Sequence, residues 1–223
     1  SWTAASEVVT ARAFELARSA MVETQLLRRG IADAEVLRVM GEVPREHFVD
    51  PQHRDSAYDD HPLPIGHGQT ISQPYMVALM CELASPKAAG RVLEIGAGCG
   101  YQSAVLARLY QQVFAVELVS ELAQGAERKL RLLEVENVEL RCGDGSKGWA
   151  AEAPYDAIVV AAGARRVPPA LLEQLAHGGR LVIPVGPRGL QALQIHQRRG
   201  DAYSVEESTA CRFVELRGEH GWS

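Results

Sequence analysis

The stretch VLEIGAGCGYQ, residues 92–102, decides the fold class of this 223-residue chain. It starts with an apolar run typical of a buried strand, passes three glycines, Gly96, Gly98 and Gly100, and continues into a helical pattern. Glycines at a strand-to-helix turn let backbone N–H groups and a ligand approach where a Cβ atom would clash. The spacing is GxGxG and lacks the last glycine of the GxGxxG pyrophosphate pattern. By itself the turn fits a ligand site and close helix–strand packing equally well.

Downstream of this turn the chain alternates between short β-branched runs and helical segments, which predicts an α/β fold with a doubly wound, mostly parallel seven-stranded sheet. The predicted strands are RVLEI, VFAVE, VELRC, YDAIVVAA and GRLVIPV, at residues 91–95, 113–117, 138–142, 155–162 and 179–185. The predicted helices cover residues 102–109, 120–133 and 169–176. A last pair of strands, residues 192–196 and 211–216, is expected to form an antiparallel edge joined through the turn RRGDAYS.

Upstream, helical patterns predict an N-terminal cap on this core. Apolar residues three or four apart indicate one amphipathic helix from residue 6 to about residue 29, ended by Gly30. Asp33 is placed to cap a second helix, and Pro44 to open a short turn through Phe48. A further helix is predicted at residues 76–84.

Between the cap and the core lies PIGHGQTISQPY, residues 64–75, whose glycines, prolines and hydroxyls predict a loop. It has no carboxylate and no thiol, so any reactive group must come from elsewhere. From its position alone, Ser72 is suited to capping the helix that begins near Pro74.

Composition limits the function classes. Hydrophobic residues make up 47% and charged residues 23%, as in an ordinary globular protein, and no apolar run is long enough to span a membrane. The net charge of −5 argues against a nucleic-acid-binding surface. The four cysteines have no CxxC spacing and the seven histidines no HExxH spacing. We therefore expect reduced thiols, no metal and a cytoplasmic protein without a secretory leader.

Acidic residues stand at or near the ends of three predicted strands. Glu117 comes 21 residues after Gly96, where a carboxylate can accept both ribose hydroxyls of a nucleoside. Asp144 follows the next strand and can accept a hydrogen bond from the exocyclic amine of adenine. Together with the glycine turn they predict an adenosine-shaped cleft. Glu94 interrupts an apolar strand, so it is either a buried acid facing a cationic ligand or a structural residue satisfied internally.

These features resemble the S-adenosylmethionine-dependent methyltransferases. More specifically, the chain resembles the protein-L-isoaspartate O-methyltransferase family from about residue 21 to residue 216. The segments that carry this resemblance are RGIADAEVLRVMGEVPREHFV, PIGHGQTISQPYMVA, VLEIGAGCGYQSAVLA, GDGSKGW, PYDAIVVAAGA and GGRLVIPVG. The resemblance implies methyl transfer from S-adenosyl-L-methionine to the free α-carboxylate of L-isoaspartyl residues in damaged proteins and peptides, with S-adenosyl-L-homocysteine as product.

The same resemblance implies a domain division and site residues. Residues 1–20 would be an N-terminal helical extension and residues 21–223 a single domain, with the cap and substrate loop at 21–88 and the cofactor-binding core at 89–223. Ser72 would be the catalytic residue, and Thr70, Ser72 and Val214 would contact the substrate. The residues implied to bind the cofactor are Ile71, Gln73, Pro74, Met76, Glu94, Gly96, Gly98, Cys99, Gly100, Glu117, Asp144 and Gly145. Glu215 and Arg217 depart from the family's FVPLT-like tail, which leaves closure of the C-terminal segment open.

An unreactive loop suits this chemistry. The α-carboxyl group of an isoaspartyl residue is already ionised at pH 7, so the site mainly has to align three reacting atoms and exclude water. We expect a monomer whose partners are isoaspartyl peptides and proteins, with no nucleic acid and no membrane.

Two alternatives share the glycine turn and the acids. The first is a methyltransferase acting on a small molecule or an RNA base, although the chain has neither a basic surface nor an NPPY-like motif. The second is a nucleotide-binding regulatory protein or an NAD-linked Rossmann protein, for which the incomplete GxGxxG spacing is the discriminating feature.

Overall fold

The structure is a computed structural model that describes residues 2–222, with side chains described from residue 10 onward. The strands are β1 (Leu63–Gly66), β2 (Gln69–Ile71), β3 (Arg91–Ile95), β4 (Gln112–Glu117), β5 (Val138–Cys142), β6 (Tyr155–Val160), β7 (Leu175–Val185), β8 (Gln191–Arg199) and β9 (Ala202–Cys211). Seven of them form one sheet in the order β5-β4-β3-β6-β7-β8-β9. Strands β3 to β7 run parallel, and β8 and β9 complete an antiparallel edge.

The α-helices are α1 (Trp2–Met21), α2 (Ala34–Glu42), α3 (Pro74–Leu83), α4 (Tyr101–Leu109), α5 (Ser120–Leu132) and α6 (Pro169–Glu173). Helix α1 continues through a π turn and a 3-10 turn to Arg29, and Gly30 ends it in the left-handed conformation, as predicted. The predicted cap of α2 is also confirmed, because the Asp33 carboxylate accepts the N–H groups of Glu35 and Val36 at 2.9 and 3.0 Å.

Both faces of the central strands are covered, which explains why β3, β4 and β6 are almost continuously apolar. On one face, Val92 and Val113 pack in a single cluster with Leu26, Val36 and Met40 of the N-terminal helices. The other face buries a second, smaller cluster. The predicted helical cap therefore covers one face of the sheet and borders its C-terminal edge through α3.

The prediction of a loop over residues 64–75 is wrong in part, because β1 and β2 pair as an antiparallel hairpin. His67 and Gly68 connect them with φ angles of 53° and 69°. Two consecutive residues with positive φ are the signature of a tight hairpin turn whose twist matches the strands. Within residues 2–222 no further strand pairs with the hairpin, so Pro64 can be accommodated.

The predicted strand at residues 211–216 is also wrong. The last strand, β9, precedes it, because the turn at Gly200 and Asp201 already reverses the chain. The sequence of β9, AYSVEESTAC, is polar and largely exposed at the sheet edge, so it lacks the alternation that marks a half-buried strand. Residues 213–217 instead cross to the loop after β6, where Gly163 hydrogen-bonds to Val214 at 2.7 Å and to Leu216 at 2.9 Å.

Helix α6 is shorter than predicted, since Leu175 already pairs with Tyr155 in the sheet.

Candidate active site

The main cleft lies at the C-terminal ends of β3, β4 and β6. Strand β4 pairs with one edge of β3 and β6 with the other, so the strand order reverses at β3. Ligands of open α/β sheets bind at such a switch point. The cleft comprises about 850 Å³ of space, including its open mouth. Its walls come from β2, the glycine turn after β3, the end of β4, the loop after β6 and residues 214–217.

The glycine turn is held against β4 by Glu117. The N–H groups of Gly98 and Val119 donate to the two oxygens of the Glu117 carboxylate at 2.7 and 2.9 Å. Gly98 has a φ of +56°, and a Cβ atom there would lie 3.2 Å from the side chain of Ile65. Each carboxylate oxygen keeps a second lone pair. The arrangement therefore fixes an acceptor pair at the strand end while leaving it able to accept hydroxyl groups of a ligand.

Two buried polar residues in the cleft wall each have one side-chain atom without a hydrogen-bond partner in the described part of the chain. Glu94 is fully buried in β3, and its Oε2 atom accepts a hydrogen bond from the Ser103 hydroxyl. Within the described part of the chain, neither Glu94 Oε1 nor Gln102 Nε2 has a hydrogen-bond partner. Buried polar atoms are seldom left unpaired, so this pair suits a ligand that carries both a donor and an acceptor.

Burial raises the pKa of Glu94 to about 8; the Ser103 hydroxyl opposes this shift and the Glu117 carboxylate adds to it. At pH 7 the free protein therefore holds Glu94 mostly protonated. A cationic ligand group in this position would favour the ionised carboxylate.

Ser72 does not cap helix α3. Gln73 is the residue before the helix, and no side chain bonds to the helix N-terminus. The capping interpretation is therefore wrong. Ser72 is half-buried in the cleft wall, and its hydroxyl has no hydrogen bond with any residue whose side chain is described. The hydroxyl is thus available to a ligand in the cleft.

Arg45 supports the cleft from behind Ser72, and the sequence analysis did not single it out. It is completely buried, and its guanidinium group donates to the carbonyl oxygens of Ala57 at 2.7 Å and Ser72 at 2.8 Å. The guanidinium also lies 4.8 Å from the ring centroid of Tyr101. Burial lowers the pKa of Arg45. Arg45 thereby fixes the main chain that carries the Ser72 hydroxyl; its only signal in the sequence is a charge within VPREHFV.

The structure brings ten of the fifteen predicted site residues together in the cleft wall. They are Thr70, Ile71, Ser72, Glu94, Gly96, Gly98, Cys99, Glu117, Gly145 and Val214. Burial raises the pKa of the Cys99 thiol, so this residue presents a small neutral surface. The five that lie outside the wall are Gln73, Pro74, Met76, Gly100 and Asp144.

Four of these five serve the fold around the cleft. The Gln73 side chain turns away to the Asp60 carboxylate at 2.8 Å. Pro74 and Met76, in the first turn of α3, pack into the core. Gly100 allows α4 to approach α5 closely, since a Cβ atom there would lie 3.1 Å from Ala126.

Asp144 forms hydrogen bonds within the protein and does not line the cleft. Its carboxylate accepts the N–H of Ser146 at 2.9 Å and the N–H of Glu219 at 2.8 Å. Burial opposes ionisation of Asp144, but these hydrogen bonds outweigh it and lower the pKa of the carboxyl group. The neighbouring Gly145 lines the cleft instead, and a Cβ atom there would come within 2.4 Å of Ile95.

Comparison with known proteins identifies the family. The model of the family Protein-L-isoaspartate(D-aspartate) O-methyltransferase (PCMT) matches residues 17–221. The chain belongs to this family. Protein-L-isoaspartate O-methyltransferase 2 of Pelobacter propionicus is 54% identical over 210 residues, which cover 93% of each chain.

Solved structures of the isoaspartate methyltransferase family agree with the fold. A protein-L-isoaspartate O-methyltransferase is 30% identical, with a TM-score of 0.81 over 92% of this chain and 67% of that one. A Plasmodium falciparum chain assigned to the same activity, in complex with S-adenosyl-L-homocysteine, is 26% identical, with a TM-score of 0.78 over 90% of this chain and 98% of that one. The predicted fold class and family are therefore confirmed.

Membership of the isoaspartate methyltransferase family favours that activity over a small-molecule, RNA or NAD-linked function. Over residues 2–222, no helix is long and apolar enough to cross a membrane. The same residues contain no cluster of three or more histidine, cysteine, aspartate or glutamate side chains placed to hold a metal ion.

Proposed function

We propose that this protein transfers the methyl group of S-adenosyl-L-methionine to the free α-carboxylate of L-isoaspartyl residues in damaged proteins and peptides, which initiates their repair. The observation that carries this proposal is that Ser72, whose hydroxyl has no partner among the described residues, lines the same cleft as the glycine turn and Glu117. The family of the chain and the names of its relatives support the substrate class.

The residues of the cleft fit this cofactor. Glu117 would accept the ribose hydroxyls, and Gly145, which lines the cleft, would border the adenine ring. The two unpartnered atoms match the amino-acid end of the cofactor, with Glu94 toward the ammonium group and Gln102 toward the carboxylate. The S-adenosyl-L-homocysteine bound to the Plasmodium falciparum relative supports the same ligand class. When bound, the cofactor supplies an electrophilic sulfonium methyl group.

The acceptor needs alignment more than activation. Its α-carboxylate is ionised at neutral pH, so no general base is required. The Ser72 hydroxyl would donate to one carboxylate oxygen and leave the other directed at the methyl group. Thr70 and Val214 would border the acceptor on either side of the cleft mouth. Arg45 holds the Ser72 carbonyl and thus keeps the hydroxyl at a fixed position.

The repair outcome provides a test of this function. The following backbone nitrogen attacks the carbonyl of a methyl ester at this position and expels methanol, and water opens the resulting succinimide to aspartyl and isoaspartyl products. Incubation of an isoaspartyl peptide with the protein and S-adenosyl-L-methionine should convert it progressively to its aspartyl form, as followed by chromatography. Calorimetry should show binding of S-adenosyl-L-homocysteine and not of NAD. Absence of conversion, with the folded protein binding NAD instead, would overturn the proposal.

We also propose that the protein works as a cytoplasmic monomer without nucleic acid. The four cysteines are all free, which suits a reducing compartment, and the net charge is −5. Residues 1–20 would be an extension of a single domain at 21–223, in keeping with a family match that starts at residue 17. Sedimentation of the pure protein at a dimer mass, or its recovery from a compartment outside the cytoplasm, would refute these points.

A further inference from the structure

The outer wall of the cleft carries arginines that the proposed chemistry does not use. Arg217 is exposed, lines the cleft and has no carboxylate partner in the described part of the chain. It follows Val214 and Glu215, which line the same wall. A cation at this place can reach a bound acceptor without taking part in methyl transfer.

Two more arginines contact the ring of Trp222 close to Arg217. The guanidinium groups of Arg165 and Arg188 lie 5.9 and 5.0 Å from the ring centroid of Trp222. The Trp222 backbone N–H donates to Leu216 at 2.7 Å, and its indole N–H donates to Gly163 at 2.9 Å. Because the ring is anchored at both ends, it keeps these cations next to the cleft wall. We call Arg165, Arg188 and Arg217 the basic rim.

The basic rim is positive in a protein that is acidic overall. The only ion pair that its members form within residues 10–222 joins Arg188 to Glu215 at 2.7 Å, so three cations and one carboxylate leave a charge of +2. The next acidic side chain along the chain, Glu219, is already paired with Lys147. Two further exposed arginines lie near the rim: Arg166 follows Arg165 in sequence, and Arg212 donates to the carbonyl oxygen of Gly189, next to Arg188. A positive cleft edge on a chain of net charge −5 concentrates anions at that edge.

We infer that the basic rim selects acceptor segments with an acidic side chain close to the isoaspartyl residue, and that Arg217 pairs with that second carboxylate. This inference rests on the proposed function, since it concerns the acceptor of that reaction. The α-carboxylate of the isoaspartyl residue goes to Ser72, and the flanking carboxylate goes to the rim. The selected substrates are therefore acidic stretches of damaged proteins.

The test uses acetylated and amidated isoaspartyl peptides that differ only in glutamate against glutamine, placed in turn at the two positions on either side of the isoaspartate. Methyl transfer is measured at saturating S-adenosyl-L-methionine. For the wild-type protein, kcat/KM for the glutamate peptide should exceed kcat/KM for the glutamine peptide by about three- to fivefold in at least one position at low salt. This ratio should approach one at high salt, because salt screens the attraction.

Arg217→Gln should bring this ratio to about one, mainly through KM, and Arg217→Glu should bring it below one. Arg12→Gln is the matched control, because it removes the same charge from an exposed residue of α1 and should keep the wild-type ratio. Binding of S-adenosyl-L-homocysteine reports that each variant is folded. If Arg217 variants do not fold, Arg165→Gln should lower the ratio in the same direction.

A wild-type ratio of one at every position, or a ratio that survives Arg217→Gln, would overturn the inference while leaving the proposed function intact. Absence of methyl transfer to all of the isoaspartyl peptides would instead contradict the proposed function itself.

Discussion

At the scale of single residues, the role proposed for Ser72 predicts different effects on catalysis and on stability. Because its hydroxyl has no partner in the described protein, Ser72→Ala should change the free energy of unfolding by less than about 0.5 kcal/mol. Loss of a hydrogen bond to a charged acceptor should lower kcat by about 10- to 100-fold, with cofactor affinity retained. Urea unfolding, calorimetry and initial rates measure the three quantities.

A charge at the same position sharpens this prediction. Ser72→Asp would place an anion next to the acceptor carboxylate, whereas Ser72→Asn has nearly the same size without the charge. The aspartate variant should therefore turn over far more slowly than the asparagine variant. Equal rates for the two variants would mean that Ser72 does not face the acceptor.

The raised pKa of Glu94 predicts that cofactor binding depends on pH. Its pKa in the free protein is raised to about 8, and a bound ammonium group would favour the ionised form. The affinity for S-adenosyl-L-homocysteine should then rise from pH 6 to pH 8, by at most about tenfold per pH unit, with release of a proton on binding. Glu94→Gln should make the affinity nearly independent of pH over this range. Titration calorimetry in buffers of different ionisation enthalpy measures both effects.

The same group affects the stability of the ligand-free protein. A carboxyl pKa that is raised in the folded state contributes stability below the unfolded value of 4.5, and this contribution is lost as the pH rises through about 8. Unfolding free energies of wild type and Glu94→Gln should therefore diverge between pH 5 and pH 8. Parallel curves over this range would contradict a raised pKa of the buried Glu94 carboxyl group.

At the scale of elements, the loop after β5 offers a matched pair of glycines. A Cβ atom at Gly145 would come within 2.4 Å of Ile95, whereas one at Gly143 would meet nothing within 4 Å. Gly145→Ala should displace the loop, lower the melting temperature and weaken binding of S-adenosyl-L-homocysteine. Gly143→Ala should keep the affinity and leave stability unchanged or raise it slightly, by up to about 1 kcal/mol. Equal effects of the two substitutions would show that the loop does not depend on its approach to β3.

Elements with a buried face could be predicted from the sequence, and elements without one could not. Strand β3 and the glycine turn were predictable because burial on both faces demands an apolar run and the turn demands glycine. The edge strand β9 was missed because its exposed position imposes no pattern on its side chains. The hairpin of β1 and β2 was missed because its turn is His67-Gly68 and not one of the Asn-Gly, Asp-Gly or Gly-Gly pairs that signal a tight hairpin.

The same distinction applies to the site residues. The role of Glu117 was predictable because this residue ends a strand. The role of Ser72 was predictable only from the resemblance to the isoaspartate methyltransferase family. The hydrogen bonds of Asp144 depend on Glu219, 75 residues away, and the burial of Arg45 depends on contacts with Ala57 and Ser72. Contacts over such distances leave no local pattern in a single sequence.

At the scale of the whole molecule, the fold assembles one cleft from both ends of the chain. The N-terminal cap supports the hairpin and Ser72 through Arg45, and the C-terminal segment crosses back to the loop after β6. The central sheet contributes the glycine turn and Glu117 at its switch point. The proposed activity depends on all three parts meeting at the C-terminal edge of the sheet.

Transfer of labelled methyl from S-adenosyl-L-methionine to a pair of peptides tests the central claim most directly. The two peptides share one sequence and differ only in an isoaspartyl or a normal aspartyl linkage at one position. Base-labile label is expected in the isoaspartyl peptide, in proportion to enzyme, with no transfer to its aspartyl twin. Equal labelling of both peptides, or of neither while the protein binds S-adenosyl-L-homocysteine, would contradict it.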